Sequence, residues 1–198
     1  MRMLTRGGTA IVAANMATTA TLAAPVPDAP PAGWALRPAR VGDAAALARL
    51  CAAHAAYERI PHCGDGHAQR LAHGMAAGRL HAWLGFLHGG AVGYASATID
   101  YATLTARPFL HLDCLYLEPV ARGLGLGRLL VNAALRRARA LGCDQLQWQT
   151  PDWNEGAIRF YDRLGATRLP KQRYTLAVNP GQSPGSLRGT RSIGCNAR

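Results

Sequence analysis

The apolar positions of the chain change period several times between residues 34 and 178. Trp34–Arg37 reads as a short strand. Asp43 is placed to cap a helix running to about Glu58, in which Leu47, Leu50, Cys51, His54 and Tyr57 recur at helical spacing. A weaker helical pattern covers His67–Ala77. Leu80–Leu87 and Ala91–Tyr101 flank His88-Gly89-Gly90, the pattern of a hairpin. Phe109–Leu117 is apolar on both faces, which places it centrally in a sheet. A glycine-rich turn leads into a helix over Gly127–Leu141. Leu130, Ala133, Ala134, Ala138 and Leu141 form its apolar stripe, while Arg128, Asn132, Arg136 and Arg139 lie mostly off it. Gln145–Thr150 predicts another strand, Glu155–Leu164 a helix, and Lys171–Val178 a last strand. The fold class is α/β, with strands and helices alternating through the second half.

The flanking segments carry no such pattern. Residues 1–33 are rich in Ala and Thr and close on Pro25, Pro27, Pro30, Pro31 and Gly33, which reads as a disordered lead-in. Arg2 and Arg6 precede an apolar-leaning stretch in the manner of a secretory signal. Its longest apolar run is only Ala10–Ala14, however, and Asn15 follows, so the signal is poor. Met16 is a candidate later start. Residues 179–198 read as a disordered basic tail. One domain is therefore expected over 34–178, within a chain of 198 residues that can bury a real core.

Charge adds a partner question. The formal charge is +11, with 22 basic residues, of which only Lys171 is a lysine. The lead-in holds +1 and the tail +3, leaving +7 on the middle segment. Dispersed charge without a basic-aromatic module argues against a nucleic-acid partner. No stretch approaches the roughly 18 apolar residues of a membrane span, which argues against an integral membrane protein. The five cysteines are scattered without a C-x-x-C pair, as suits a reducing cytoplasm. Cys51, His54, His62, Cys63, His67 and His73 cluster in sequence, yet their spacings match no zinc pattern, so no metal is expected.

The stretch that carries chemistry is Leu115-Tyr116-Leu117-Glu118-Pro119-Val120-Ala121-Arg122-Gly123-Leu124-Gly125-Leu126-Gly127-Arg128. Its glycines remove side chains where a strand hands over to a helix, and exposed amides with the helix dipole make an anion site. Neither the P-loop pattern nor the dinucleotide G-x-G-x-x-G fits. What fits is R-x-x-G-x-G, here Arg122, Gly125 and Gly127, which resembles the pyrophosphate motif of the GCN5-related N-acetyltransferase (GNAT) superfamily. A second stretch agrees. Asn154-Glu155-Gly156-Ala157-Ile158-Arg159-Phe160-Tyr161-Asp162-Arg163-Leu164-Gly165-Ala166 resembles that superfamily's N-x-x-A-x-x-F-Y-x-x-L-G helix, with Ala166 where Phe is commoner. Leu36-Arg37-Pro38-Ala39, Tyr57-Glu58 and Trp153-Asn154-Glu155 are similar to diamine (spermidine/spermine-type) and thialysine acetyltransferases.

The resemblance implies a central mixed, mostly antiparallel twisted sheet flanked by helices, with strands splayed at the acetyl-CoA site. It implies acetyl-CoA as co-substrate, its pyrophosphate on the amides of Arg122, Gly123, Leu124, Gly125, Leu126, Gly127 and Arg128. Pantetheine would pair with the strand at Leu115, Tyr116 and Leu117, and run past Asn154, Glu155, Gly156 and Ala157. Tyr161 would lie near the thioester sulfur. Asn154, Ala157, Tyr161 and Leu164 do share one helix face by spacing; a core role for Tyr161 stands as the alternative. Tyr57, Glu58, Gln147, Trp148 and Gln149 match acceptor-side positions, with Trp148 equally readable as core packing. A homodimer is implied too.

Amine acetylation requires a neutral nucleophile. With an ammonium pKa of about 10.4, deprotonation at pH 7 costs roughly 4.6 kcal/mol. Asp113 is the candidate base, because strand alternation puts it on the face of Leu115 and Leu117; pairing with an arginine is its structural alternative. Tyr161 is the candidate acid. The diamine enzymes carry Glu then Asp where this chain has Asp113 then Cys114, which departs from polyamine specificity. Cys114 reads as buried packing rather than an acyl carrier. The expected acceptor is a small di- or polyamine-like or amino-acid-like amine. Protein N-termini or lysines, and acyl-CoA sensing without turnover, are the rivals.

Overall fold

The computed structural model describes residues 32–176 and 178. The expectations for residues 1–31 and 179–198 lie outside them. Pro151–Gln172 falls in one compact unit and the remaining described residues in another, so each is described by itself.

The larger unit is a five-stranded sheet in chain order: β1 (Trp34–Pro38), β2 (His81–Leu87), β3 (Gly90–Ala102), β4 (Arg107–Leu117) and β5 (Leu146–Gln147). The first three pairings are antiparallel and the β4–β5 pairing is parallel, so the sheet is mixed and mostly antiparallel. β2 and β3 close on His88-Gly89, both at positive φ (48° and 82°), the backbone a two-residue hairpin with right-handed twist requires.

Helices α1 (Ala44–Glu58) and α2 (His67–Ala76) belong to one side of the core. Leu47 and Leu50 of α1 pack with Ala82, Leu84, Tyr94 and Tyr116 from β2, β3 and β4. Helix α3 (Leu126–Ala140) packs on β2, β3 and β4. It comes so close at Gly85 that a Cβ there would meet Leu126 Cδ2 at 2.8 Å, which explains the missing side chain. Gly127 and every residue of Leu129–Ala134 are buried. Asn132, expected off the stripe, is only 7% exposed, because α3 enters the core so deeply that Leu129–Ala134 are buried on every side.

Three other expectations change. Asp43 precedes α1 but makes no side-chain cap to it. Its carboxylate instead takes both terminal nitrogens of Arg37 (2.7 and 2.8 Å) and the Arg40 amide (2.7 Å), closing the 3-10 turn Val41–Asp43. The strand expected over Gln145–Thr150 contracts to Leu146–Gln147, paired with Leu110 and His111. The strand expected over Lys171–Val178 is absent among the described residues 171–176. Tyr174 and Leu176 there are 88% and 73% exposed, and a two-residue β5 offers little ladder to extend. The smaller unit holds α4 (Glu155–Arg163), whose N-cap Asn154 accepts the Ala157 amide at 3.2 Å.

No helix among the described residues is long and apolar enough to cross a membrane.

Candidate active site

The site is organised by an irregularity in β4. Ser96 of β3 faces Cys114, but the next β3 residue, Ala97, faces Leu112, so Asp113 is an extra residue in the ladder. Such a bulge interrupts strict alternation. Leu112 and Leu115 stay on one face while Cys114 and Tyr116 share the other with Ser96 and Tyr94. Asp113 therefore does not share the face of Leu115 and Leu117, as alternation predicts. It joins Cys114, whose Sγ lies 3.4 Å from Asp113 Oδ2, and its charge acts on Cys51 and His54 of α1.

Beyond His111 the β5 partner is lost while β3 stays paired through Leu117. The splay places the second half of β4 at the open edge of the ladder, where an extended ligand can pair with backbone. Past Leu117 the chain makes the 3-10 turn Pro119–Ala121 and then the glycine turn into α3. Gly123 and Gly125 have φ of 77° and 87°, and a Cβ on either would meet nothing within 4 Å. The amides of Arg128 and Leu129 go to the Gly125 carbonyl (3.1 and 3.2 Å). Helix geometry gives the Leu126 and Gly127 amides no acceptor within α3, so the turn fits a phosphate-sized anion. Leu126 and Gly127 are buried, and Leu124 is exposed.

Arg122 turns back from this loop. Its Nε donates to the Leu117 carbonyl at 2.9 Å, and its guanidinium lies 4.8 Å from the centre of the Tyr57 ring and 5.8 Å from that of Tyr116. The Tyr116 side chain belongs to the core and its backbone faces Tyr94 of β3, so the backbone turned to the open edge is that of Leu115 and Leu117. One more link ties the turn to α1: Arg49 pairs with Glu118 (2.6 Å) and donates to the Ala91 carbonyl.

Tyr57 and Glu58 end α1 beside this cluster, and the sequence reading missed what joins them to it. His54 stacks on Tyr116 with ring centres 5.1 Å apart. Its Nδ1 lies 3.0 Å from the Tyr94 hydroxyl and its Nε2 3.4 Å from Glu58 Oε1. Burial, and secondarily the Cys114 and Cys51 thiols beside it, push the Tyr94 phenol far above its usual pKa. It thus remains a donor. Burial lowers the His54 pKa, Glu58 and Asp113 oppose that, and Arg122 adds to it. The i, i+4 spacing of His54 and Glu58 was the available signal. Burial, reinforced by Asp113, raises the Cys114 thiol to about 12, which suits packing and not nucleophilic work.

The remaining candidates are placed separately. Gln147 lies on β5 and donates to Gln145 Oε1 at 2.7 Å; Trp148 and Gln149 follow it, with Arg173 3.4 Å from Gln149 Oε1. In the smaller unit, Ala157 and Tyr161 are partly buried and Glu155 and Gly156 exposed; Glu155 pairs with Arg159 at 3.0 Å. The Cys/His cluster divides. Cys51 and His54 face the core, His62 and His67 meet at 3.2 Å, and no group of three metal-ligating side chains forms among the described residues.

Comparison with known proteins adds to this geometry. The model described as "Acetyltransferase (GNAT) family" matches residues 47–166. A thialysine N-epsilon-acetyltransferase of Caenorhabditis elegans is 28% identical over 117 residues, which cover 59% of this chain and 72% of that protein. The L-ornithine N5-acetyltransferase NATA1 of Arabidopsis thaliana is 31% identical over 67 residues, 34% of this chain and only 29% of that protein. The solved aminoglycoside N-acetyltransferase AAC(6')-Iy in complex with CoA superposes with a TM-score of 0.65, covering 73% of this chain and 94% of that one at 20% identity, a likeness of fold.

Proposed function

The chain is a member of the acetyltransferase (GNAT) family, an acetyl-CoA-dependent N-acetyltransferase by family, and from that premise we propose that it acetylates a primary amine on a small di- or polyamine-like or amino-acid-like molecule. The observation that carries the acceptor half is that the charges of Glu58, beside Tyr57 at the end of α1, and of Asp113 at the β4 bulge both act on His54. Two carboxylates beside aromatic rings attract an ammonium and an alkyl chain. Named relatives act on thialysine and ornithine, amines of this kind.

Bound acetyl-CoA supplies the thioester. The Gly123–Arg128 turn would hold its pyrophosphate and the open edge of β4 at Leu115 and Leu117 its pantetheine, while Asn154–Ala157 keep the cofactor role that the resemblance implies. Asp113, directly or through water, takes the proton the amine must lose. Tyr161 gives one to the leaving sulfur. The remaining residues position two substrates, a contribution that reaches about 7–11 kcal/mol at best.

The test is thiol release from acetyl-CoA over a panel of thialysine, ornithine, putrescine, aminoglycosides and peptides, with wild type and Asp113→Asn. Turnover on a small amine, reduced at least about 100-fold in Asp113→Asn, is expected. Turnover confined to peptides moves the acceptor to proteins. Full activity in Asp113→Asn removes that carboxylate from the base role.

A further inference from the structure

One histidine in this cluster is left without a task by the reading above. His54 is nearly buried, with 13% of its side chain exposed, and it carries two polar contacts that point in opposite directions. Nδ1 faces the Tyr94 hydroxyl in the core, and Nε2 faces Glu58 at the end of the helix. We propose that His54 is a positioning residue: it ties the Glu58 carboxylate to the Tyr94 hydroxyl and so sets the affinity for the cationic acceptor. The inference rests on the amine acetyltransferase reading and assigns a residue to its acceptor half.

The tautomer follows from the partners. The Glu58 carboxylate can only accept, so the proton of the neutral ring sits on Nε2, and Nδ1 accepts from the Tyr94 hydroxyl, which keeps its own proton. Stacking on Tyr116 holds the ring plane. One carboxylate oxygen of Glu58 is thereby anchored and the other is left for an incoming ammonium. A second proton on His54 would fill Nδ1, reverse the bond so that the Tyr94 hydroxyl accepts, and place a cation against Glu58. That cation competes with the substrate for one carboxylate.

The charges around His54 come from every side of the pocket. Glu58 on α1 and Asp113 on β4 favour its protonation; burial and Arg122, which follows β4, oppose it. Cys51 of α1, Tyr94 of β3 and Cys114 of β4 stay protonated, since burial raises all three. The imidazole is therefore neutral at pH 7. It protonates at a pH below its ordinary value, and only there does acceptor binding weaken.

His54→Leu removes the tether, while His54→Gln offers an amide that can donate to Glu58 and accept from Tyr94 without titrating. With thialysine, ornithine and putrescine as acceptors, His54→Leu should raise the acceptor KM at pH 7.5 at least about tenfold, with the acetyl-CoA KM unmoved. His54→Gln should recover most of that loss. In wild type the acceptor KM should rise as the pH drops below the ordinary imidazole range, and in His54→Gln that acid limb should flatten. NMR titration of the His54 ring supplies a readout free of turnover: its pKa should fall when acceptor is added, and fall in Glu58→Gln.

An unchanged acceptor KM in His54→Leu overturns the inference and leaves the acetyltransferase reading standing. Absence of turnover on all three amines, with a His54 pKa still lowered by them, overturns the small-amine reading and supports the tether. No turnover and no His54 response overturns both.

Discussion

At the scale of residues, the site divides labour between groups that titrate and groups that are prevented from doing so. Cys114 and Tyr94 are raised out of the working range by burial. The pocket thus keeps two inert polar atoms beside His54, whose ring feels the charges of Glu58 and Asp113. Tyr161 is the residue whose proposed role is most easily isolated. Removing its hydroxyl leaves the ring, and with it the packing of the Phe160–Tyr161 pair, whose ring centres are 5.2 Å apart. Tyr161→Phe should slow turnover about 10- to 100-fold at saturating substrates while acetyl-CoA binding changes little, as read by steady-state kinetics and calorimetry. Unchanged turnover would exclude it as the acid.

At the scale of elements, the turn between β4 and α3 is where an unusual backbone conformation and the proposed cofactor site coincide. Gly125 caps α3 with φ 87°, and open space stands where its side chain would be. Gly125→Ala should cost about 1–2 kcal/mol of stability from the left-handed conformation alone. It should also weaken acetyl-CoA binding by more than that strain explains, since the methyl group enters the anion cradle. Chemical denaturation and acetyl-CoA titration of the same variant separate the two; equal binding by the variant and wild type would remove the turn from the cofactor site.

The elements also mark how far the sequence could be read. The β2–β3 hairpin was legible because His88-Gly89 sits between two apolar runs of strand length, a local signal with one geometric solution. Helix α3 and the glycine turn were legible for the same reason. The bulge was not. Leu110, Leu112, Leu115 and Leu117 lie on one face despite an odd step between 112 and 115, and a strand with apolar residues on both faces hides which residue lacks a partner. Asn132 was misplaced because its polarity says nothing about how deeply α3 enters the core. The strand expected over Lys171–Val178 had suitable residues; pairing depends on a neighbour, and β5 ends at Gln147. His54 lay on the correct helix face, but its two partners come from β3 and from the same helix four residues on. Only the fold brings the first of them near.

For the molecule as a whole, stability should respond to acid through the join between β1 and α1. Arg37 holds Asp43 with two hydrogen bonds and the Arg40 amide adds a third, which lowers the Asp43 pKa to about 2 from an ordinary 3.8. A carboxylate with a depressed pKa stabilises the fold above its unfolded pKa and loses that contribution as the pH falls through the folded one. The advantage of wild type over Asp43→Asn in chemical denaturation should therefore be full at pH 6 and shrink between about pH 4 and pH 2. A constant difference across that range would mean that the ion pair adds nothing. The net charge of +11, suggestive of nucleic acid when taken as a sum, is a weaker guide than the positions of a few acids.

The unpaired Asp113 has a consequence for how this chain tolerates change in length. On either side of it, β4 assigns its side chains to faces by two different parities. Upstream, Leu110 and Leu112 set the count; downstream, Leu115 and Leu117 set it again one residue out of step. Exchanging Asp113 for another residue alters one group. Deleting it would bring the two halves into a single parity, in which the leucines keep their face, Cys114 and Tyr116 keep theirs, and the ladder becomes regular. The extra residue is a spacer as well as a carboxylate, and those two properties can be separated: a substitution there probes the chemistry, a deletion the phase of the strand.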